Sequence, residues 1–333
     1  MTTVVGIDLG GTKVAAAALR DGDRELGRHH QEPTKLSSAE ALLDQLAEIV
    51  TTVGDGFDAV GIGVPSVVEF ATGRVVTSIN IPLADVPLRE VLGARLGVPV
   101  FVDNDATVAA LAEAHDEDLR MVARDLVMIT VGTGVGGGLV LGGRIYRGAT
   151  GGAGELGHTI VGMDLSGPVP DAAKFPQKGS LEAVGAGHAL DTMVAGAAEE
   201  HPDSALGRRR AEGKKVSGVE AVDAAQAGDA VAKRLLELWG ERIGIGIANA
   251  INTFDPEEVV IGGGAARAGD LLLEPAKRTA AAYVLPGLGK QTTIRVARHG
   301  VRAGVLGAAL LAAHELSDRE TLAPTEDLIT HDP

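Results

Sequence analysis

VVGIDLGGTKVAAAAL, running from Val4 to Leu19, reads as a strand, a glycine turn and a second strand. Its arms are β-branched and small apolar residues, which suit a buried pleated surface. Gly10 and Gly11 between them let the chain turn tightly. The same layout returns at residues 126–146 as LVMITV, GTGVGGG and LVLGGRIY. Around these two units, helical periodicity covers Ser38 to Val53, and a short buried strand from Ala59 to Val64 stops at Pro65. Gly73 marks a turn between two weaker strands, and Leu88 to Leu96 reads as a helix ended by Gly97. A strand at Val98 to Val102 leads into a helix from Ala106 to about Ala114. Gly151 to Ser180 is a long Gly- and Pro-rich loop, of a length usually tied to function or mobility. Helices are expected at Leu181 to Ala198 and across Val219 to Ile251. A strand at Val259 to Ile261 is followed by Gly262, Gly263, Gly264 and another helix. The last helix spans Gly304 to Leu316, and the polar tail after Ser317 is expected to fray.

Alternating strands and helices define an α/β protein. The two glycine-tipped hairpins point to a duplication, although two copies are a weak repeat signal. A chain of 333 residues is comfortable for two domains. The expected division is a first lobe of residues 1–120, completed by the C-terminal helix 304–333, and a second lobe of residues 121–303.

Hydrophobic residues make up 45% of the chain but aromatics only 2%, so the core must be aliphatic and alanine-rich. The formal net charge of −15 repels phosphate backbones and anionic lipid, which argues against nucleic acid and membrane as partners. Five basic residues between Arg208 and Lys215 read as a solvated helix end. No cysteine is present, which excludes disulfides, thiolate metal sites and cysteine nucleophiles. With no signal-peptide pattern and no apolar run long enough to span a bilayer, the expected compartment is the cytoplasm.

Gly132, Gly134 and Gly137 satisfy G-x-G-x-x-G, but a strand comes next where a dinucleotide site would open into a helix. The better reading is a hairpin tip whose N–H groups face phosphate, with the Thr133 hydroxyl beside them. Asp8, Gly10, Gly11 and Thr12 form the matching tip in the first half. A carboxylate at a strand end can hold Mg²⁺ through water, while adjacent glycines admit a phosphoryl oxygen. An ordinary hairpin with a strand-end Asp explains that tip equally well when it is taken alone. Gly262 to Gly264 before a helix supply flat backbone and a helix N-terminus, suited to a ribose or phosphate.

These motifs together resemble the ROK family of the actin-like ATPase and sugar-kinase superfamily. The resemblance rests on GIDLGGTK at 6–13, GVP at 63–65, VDNDATVAALAE at 102–113 and TVGTGVGGGLVLGGRIYRGATGGAGELGH at 130–158. It continues through GSLEAVGAG at 179–187 and INTFDPEEVVIGGGAARAGDLLLEPAK at 251–277. It implies a two-lobed, ribonuclease H-like α/β fold with a cleft between the lobes, ATP with Mg²⁺ as phosphoryl donor, and phosphorylation of a hexose. Glucose at its 6-hydroxyl leads, and N-acetylhexosamine, mannose, fructose or an aminoglucose are alternatives. The resemblance assigns Asp105 as general base, and Asn104, Glu155, His158 and Glu182 as sugar ligands. It assigns Asp8, Gly10, Gly11 and Thr12 to the first phosphate motif, with Asp8 holding Mg²⁺. Thr133 and Gly134 fall to the second, and Gly262, Gly263 and Gly264 to adenosine. It also implies dimers or tetramers. Asp105 equally suits a helix N-cap before Ala106.

The chain departs from the family in one respect. Many members bind zinc through the histidine of the GH pair and three cysteines. Here the matching stretch is KFPQKGS at 174–180, with Ser180 where the last cysteine would stand. No zinc is therefore expected, and His158 needs another partner. Ser66 also stands where the family often has glycine. Two readings of other classes compete: a repressor, against which the charge and the lack of a helix-turn-helix pattern argue, and a non-catalytic sugar sensor. Polyphosphate as donor is a further variant, disfavoured by the lack of a basic run near the tips.

Overall fold

The structure is a computed structural model describing residues 1–54, 56–78, 80–169 and 174–322, the last three as backbone only. The chain forms two compact units, Met1–Asp105 with the stretch from Gly304 onward, and Ala106–Ala303.

The first unit is built on β1 (Thr3–Leu9), β2 (Lys13–Arg20), β3 (His29–Pro33), β4 (Ala59–Val64) and β7 (Val100–Asn104), in the order β3-β2-β1-β4-β7. The first three strands pair antiparallel, while β1–β4 and β4–β7 are parallel. β5 (Val67–Glu69) and β6 (Arg74–Thr77) form a separate hairpin turned at Gly73. α1 (Ala39–Val53) starts where the Ser38 hydroxyl accepts the Ala41 N–H at 3.1 Å. α2 (Leu88–Leu96) ends at Gly97 in the left-handed region. Val5, Ile7 and Leu9 of β1 join Leu42, Leu46 and Ile49 of α1 in one core. Side chains alternate along a strand, so Gly6 and Asp8 point to the other face. That face receives α10 (Ala303–Leu322). Gly6 and Gly61 are register partners, and a Cβ on either would lie 2.1 Å from the Val305 carbonyl oxygen or 1.8 Å from that of Ala308. The helix backbone thus rests directly on the sheet backbone.

The second unit has β8 (Leu126–Val131), β9 (Val135–Leu141), β10 (Arg144–Ile145), β11 (Glu258–Gly262) and β12 (Thr293–Val296), ordered β10-β9-β8-β11-β12. Numbered from its own first strand, each five-stranded sheet has the order 3-2-1-4-5, antiparallel on one side and parallel on the other. Among the described residues of this unit, the loop that leaves β10 is followed by α4 (Leu181–Gly185), α5 (Gly187–Glu200), α6 (Ala205–Ala211), α7 (Gly218–Gln226), α8 (Ala230–Phe254) and α9 (Asp270–Tyr283). Gly240 and Gly244 let α9 approach α8 closely, since a Cβ there would meet the Leu272 or Ala276 carbonyl at 2.5 or 2.6 Å. The core is aliphatic and alanine-rich, with Trp239 buried and its indole N–H bonded to the Gly185 carbonyl at 2.6 Å.

α3 (Asp105–Glu113) opens on the last residue of the first unit and continues in the second. Gly136 and Gly138 of β9 seat it: a Cβ on Gly138 would lie 2.6 Å from the Ala106 carbonyl and 2.7 Å from the Ala110 Cβ. Three features differ from the sequence reading. β3 and β12 are short, partly exposed strands that no apolar run announces. α10 runs to Leu322, beyond the expected end at Leu316. Leu181 to Ala198, read as one helical stretch, breaks at Ala186 into α4 and α5. The basic run agrees with the reading: Arg208, Arg209 and Arg210 fill the last turn of α6, where Arg209 and Arg210 pair with Glu220 and Glu199. Among the described residues no helix is long and apolar enough to cross a membrane.

Replacing Gly61 with Ala should destabilise the protein by about 2 kcal/mol or more, because backbone cannot yield to the new methyl. Thermal unfolding measures this, and an unchanged midpoint would refute the direct α10–sheet contact.

Candidate active site

The C-terminal ends of the parallel strands carry the first unit's polar groups, the usual place for ligands in open α/β sheets. Asp8 of β1 is in register with Gly63 of β4, and Gly63 with Asp103 of β7. Asp8 and Asp103 therefore share one row and one face, about 10 Å apart at two strand spacings. Asp103 is buried and accepts the Asn104 N–H at 2.9 Å. Asn104 reaches the Ser66 carbonyl through Nδ2 at 3.4 Å, and Asp105 begins α3. Asp105 thus lies in the first turn of α3. Its carboxylate lies at the positive end of the helix dipole.

Asp8 occupies a tight seat. A Cβ on Gly304 would fall 2.4 Å from its carboxyl carbon, so glycine at 304 makes room for the carboxylate at the start of α10. Burial pushes the Asp8 carboxyl above its ordinary value of 3.8, and the Lys13 ammonium pulls it back only in part. At the adjoining tip the Gly10 N–H is spent on the Lys13 carbonyl at 2.9 Å, and Thr34 Oγ donates to the Gly10 carbonyl at 2.7 Å. Gly10 therefore shapes the turn. Its amide is not offered to a ligand, whereas Gly11 and Thr12 are the residues at the apex.

In the second unit the tip at Gly132–Gly134 is propped from below by α4 and α5. Glu182 Oε2 accepts the Val135 N–H at 2.8 Å. The Gly187 N–H donates to the Gly132 carbonyl at 2.8 Å, and His188 Nδ1 lies 3.1 Å from the Thr133 carbonyl. One Glu182 oxygen is thus committed to the tip, leaving the other for a further partner. Gly187 and His188 escape a reading of sequence, because their role is to hold carbonyls that are distant in the chain. Their one visible signal is the GSLEAVGAG motif, which runs straight into His188. Gly137, part of the G-x-G-x-x-G match, lies inside β9, where a Cβ would sit 2.3 Å from the Gly154 carbonyl. It serves packing of the loop beyond β10.

That loop contains a 3₁₀ turn, Leu156–His158, preceded by Glu155. Residues three apart eclipse in such a turn, which brings His158 Nε2 to 3.8 Å from Glu155 Oε2. The pair thus sits at a 3₁₀ turn within the loop, with Glu155 in the position before the turn and His158 at its end. A backbone bridge between Ile160 and Ser180, with Leu181 N–H on the Thr159 carbonyl at 2.9 Å, joins this turn to α4 and so to Glu182.

The donor set around His158 does not fit zinc. The chain has no thiolate. Ser180 is buried and caps α4 by accepting the Ala183 N–H at 3.2 Å. The Phe175 ring stands edge-on to the His158 ring, with centroids 5.2 Å apart. Among the described residues no group of three His, Asp or Glu side chains could hold a metal ion. The donor set at Asp8 fits Mg²⁺ better, since that ion binds through one or two carboxylates and takes its remaining oxygens from water and phosphate.

The three glycines after β11 divide. A Cβ on Gly262 would meet the Met128 methyl at 2.4 Å, and one on Gly263, whose φ is 73°, the Val131 carbonyl at 2.5 Å. Gly263 is required by its backbone contact with β8, whereas the Met128 methyl could yield at Gly262. Gly264 has open space in front of it. The chain then makes a 3₁₀ turn, Gly264–Ala268, and α9 starts only at Asp270, so the expected helix N-terminus at the glycines is not there.

The raised Asp8 pKa has a consequence for stability. A carboxyl whose folded pKa exceeds its unfolded one binds more protons when folded, so stability falls as pH rises between the two values. The ionised group remains a net cost above them. Asp8→Asn should therefore raise the unfolding midpoint at pH 7, and the gain should vanish below about pH 3.8. Equal midpoints at pH 7 would reject the buried-carboxylate account.

Residues 4–315 match the ROK family. A glucokinase of Halalkalibacterium halodurans is 33% identical over 97% of this chain and 98% of its own length. An N-acetyl-D-glucosamine kinase of Pasteurella multocida is 33% identical over 92% of this chain and 98% of its own. The crystal structure of a ROK family glucokinase from Streptomyces griseus, in complex with glucose and AMPPNP, superposes with a TM-score of 0.75 at 30% identity. It covers 94% of this chain and 99% of that one. The chain belongs to the ROK family and has its α/β, actin-like ATPase fold.

Proposed function

We propose that this protein is an ATP-dependent hexose kinase that phosphorylates glucose at the 6-hydroxyl, with Asp105 as general base. The observation that carries the reading is the row at the end of the first sheet. Asp8, a partly buried carboxylate, stands on the same sheet end as the Asn104–Asp105 junction, an arrangement that suits one phosphoryl donor and one alcohol. The likeness to a glucokinase over nearly the whole chain supports it.

Phosphoryl transfer passes through a loose transition state, so the protein chiefly positions groups and neutralises charge. Asp105 accepts the proton of the attacking hydroxyl, and Asn104 orients the sugar. Glu155, His158 and the free oxygen of Glu182 take other hydroxyls. Carboxylates and a neutral imidazole suit that work because each offers acceptors at defined angles. Gly11, Thr12, Thr133 and Gly134 approach the phosphates, and Gly264 the adenosine. Mg²⁺, held by Asp8 through water, would neutralise charge on the donor phosphates. A cytoplasmic location and assembly into dimers or tetramers belong to the same proposal and rest on the resemblance alone.

The Pasteurella relative favours N-acetylglucosamine as the second candidate substrate. A coupled ADP-release assay over glucose, N-acetylglucosamine, mannose and fructose separates them by kcat/KM, and glucose is expected to rank first. Asp105→Asn should lower kcat on the best sugar by about 10²- to 10⁴-fold while ATP affinity stays unchanged. Failure of every sugar in the panel to support turnover would favour a sensor, and wild-type kcat in Asp105→Asn would remove the base.

A further inference from the structure

α3 carries Asp105 at one end and Glu113 at the other. The Glu113 side chain is fully buried, and a buried carboxylate at a helix C-terminus opposes the helix dipole. Its partners explain why it is there. Oε2 accepts Arg295 Nη1 at 2.6 Å and the Arg298 N–H at 2.9 Å, and Oε1 accepts the His299 N–H at 2.9 Å. Arg295 Nη2 also donates to the Glu113 carbonyl at 2.8 Å, so one guanidinium closes the helix end. The same arginine donates to Glu258 at the start of β11, at 2.6 and 2.9 Å, and Arg298 joins that carboxylate at 3.1 Å. Two carboxylates and two guanidinium groups balance in charge. His299 Nε2 lies 2.9 Å from the His115 carbonyl and closes the cluster.

The position of this clasp in the chain gives it its meaning. All its members lie in the second unit, yet they flank both places where the chain leaves that unit, after Asp105 and before Gly304. Glu113 ends the helix that begins with Asp105. The two N–H groups it accepts, from Arg298 and His299, immediately precede the 3₁₀ turn Gly300–Arg302 that leads to Gly304, the seat of Asp8. At its other end α3 rests on Gly136 and Gly138. The helix is thus held at two points along one rigid nine-residue length.

We infer that Glu113, clamped by Arg295 and the 298–299 backbone, is a positioning residue that fixes α3 and thereby the Asp105 carboxylate. The inference rests on the proposed role of Asp105 as base. A surface helix end needs no buried carboxylate, and a buried one with three donors from a single distant segment is a specific lock on the helix axis. Misplacing a catalytic group by an ångström can cost about 100-fold in rate.

The test uses the full-length protein with glucose and ATP. Glu113→Gln keeps shape and volume but turns an amide NH₂ or a lone oxygen towards the Arg295 fork. Its kcat should fall by about 10- to 100-fold, with both KM values within about threefold of wild type. In an Asp105→Asn background the same change should cost nothing further, because both act through one carboxylate. Hydrogen exchange at Ala106 to Val108, read without substrate, should quicken in Glu113→Gln. Should Glu113→Gln fail to fold, Arg295→Lys carries the test, since it keeps the charge and loses the fork. Wild-type kcat in a folded variant would overturn the inference, as would fully additive losses in the double variant. Unchanged exchange at 106–108 overturns the clasp while leaving Asp105 as base intact. Wild-type kcat in Asp105→Asn alone overturns both readings, and the single variant tells the two failures apart.

Discussion

Contact between helix and sheet backbones, permitted only by glycine, is the constraint on which the rest of the architecture depends. Gly6 and Gly61 face α10 with no room for a methyl group, and Gly138 does the same for α3. Such contacts have little lateral freedom, because peptide groups cannot change rotamer as side chains do. They fix helix height and rotation over the sheet to within a fraction of an ångström. Polar groups at the ends of these helices inherit that precision. Asp8 stands beside Gly304 because α10 is laid on Gly6 and Gly61, and Asp105 takes its place from the seating of Ala106 and Ala110.

The electrostatic cost of this arrangement is concentrated in a few groups. Burial penalises the ionised form of Asp8, with Lys13 in partial compensation. A site that keeps a carboxylate under such a penalty is suited to a cation, which would remove it. Glu113 and Glu258 take the other solution, full pairing with Arg295 and Arg298. Breaking a pair of that kind is costly, because one charge is left in a poorly solvated place. The surface ion pairs, such as Arg210 with Glu199, contribute little by comparison.

The glycine-rich stretches show why residue type and residue role part company. Gly134 is at a tip, Gly137 is inside a strand, and Gly263 is trapped under the Val131 carbonyl at a positive φ. In sequence all three read alike, as glycines of nucleotide-binding stretches. The loop from Gly151 to Ser180 likewise reads as one irregular segment. Its described parts contain a 3₁₀ turn and a bridge that bring Glu155, His158 and Glu182 onto neighbouring elements.

Much of the fold was legible in the sequence, because it is written in local rules. Apolar runs marked β1, β4, β8 and β11, glycines marked both hairpins, and helix periodicity with stop signals marked α1, α2 and α8. Asp8 could be singled out because a carboxylate beside a glycine turn at a strand end is chemically conspicuous, and Asp105 because the stretch VDNDATVAALAE resembles the ROK family. The edge strands β3 and β12 could not, since short, half-exposed strands lack an apolar signature. The pairing of Glu113 with Arg295, the propping of the tip by Glu182 and His188, and the edge-on Phe175 against His158 were also beyond it. Those contacts join residues far apart in the chain through side-chain geometry, and only the folded backbone decides which distant groups meet.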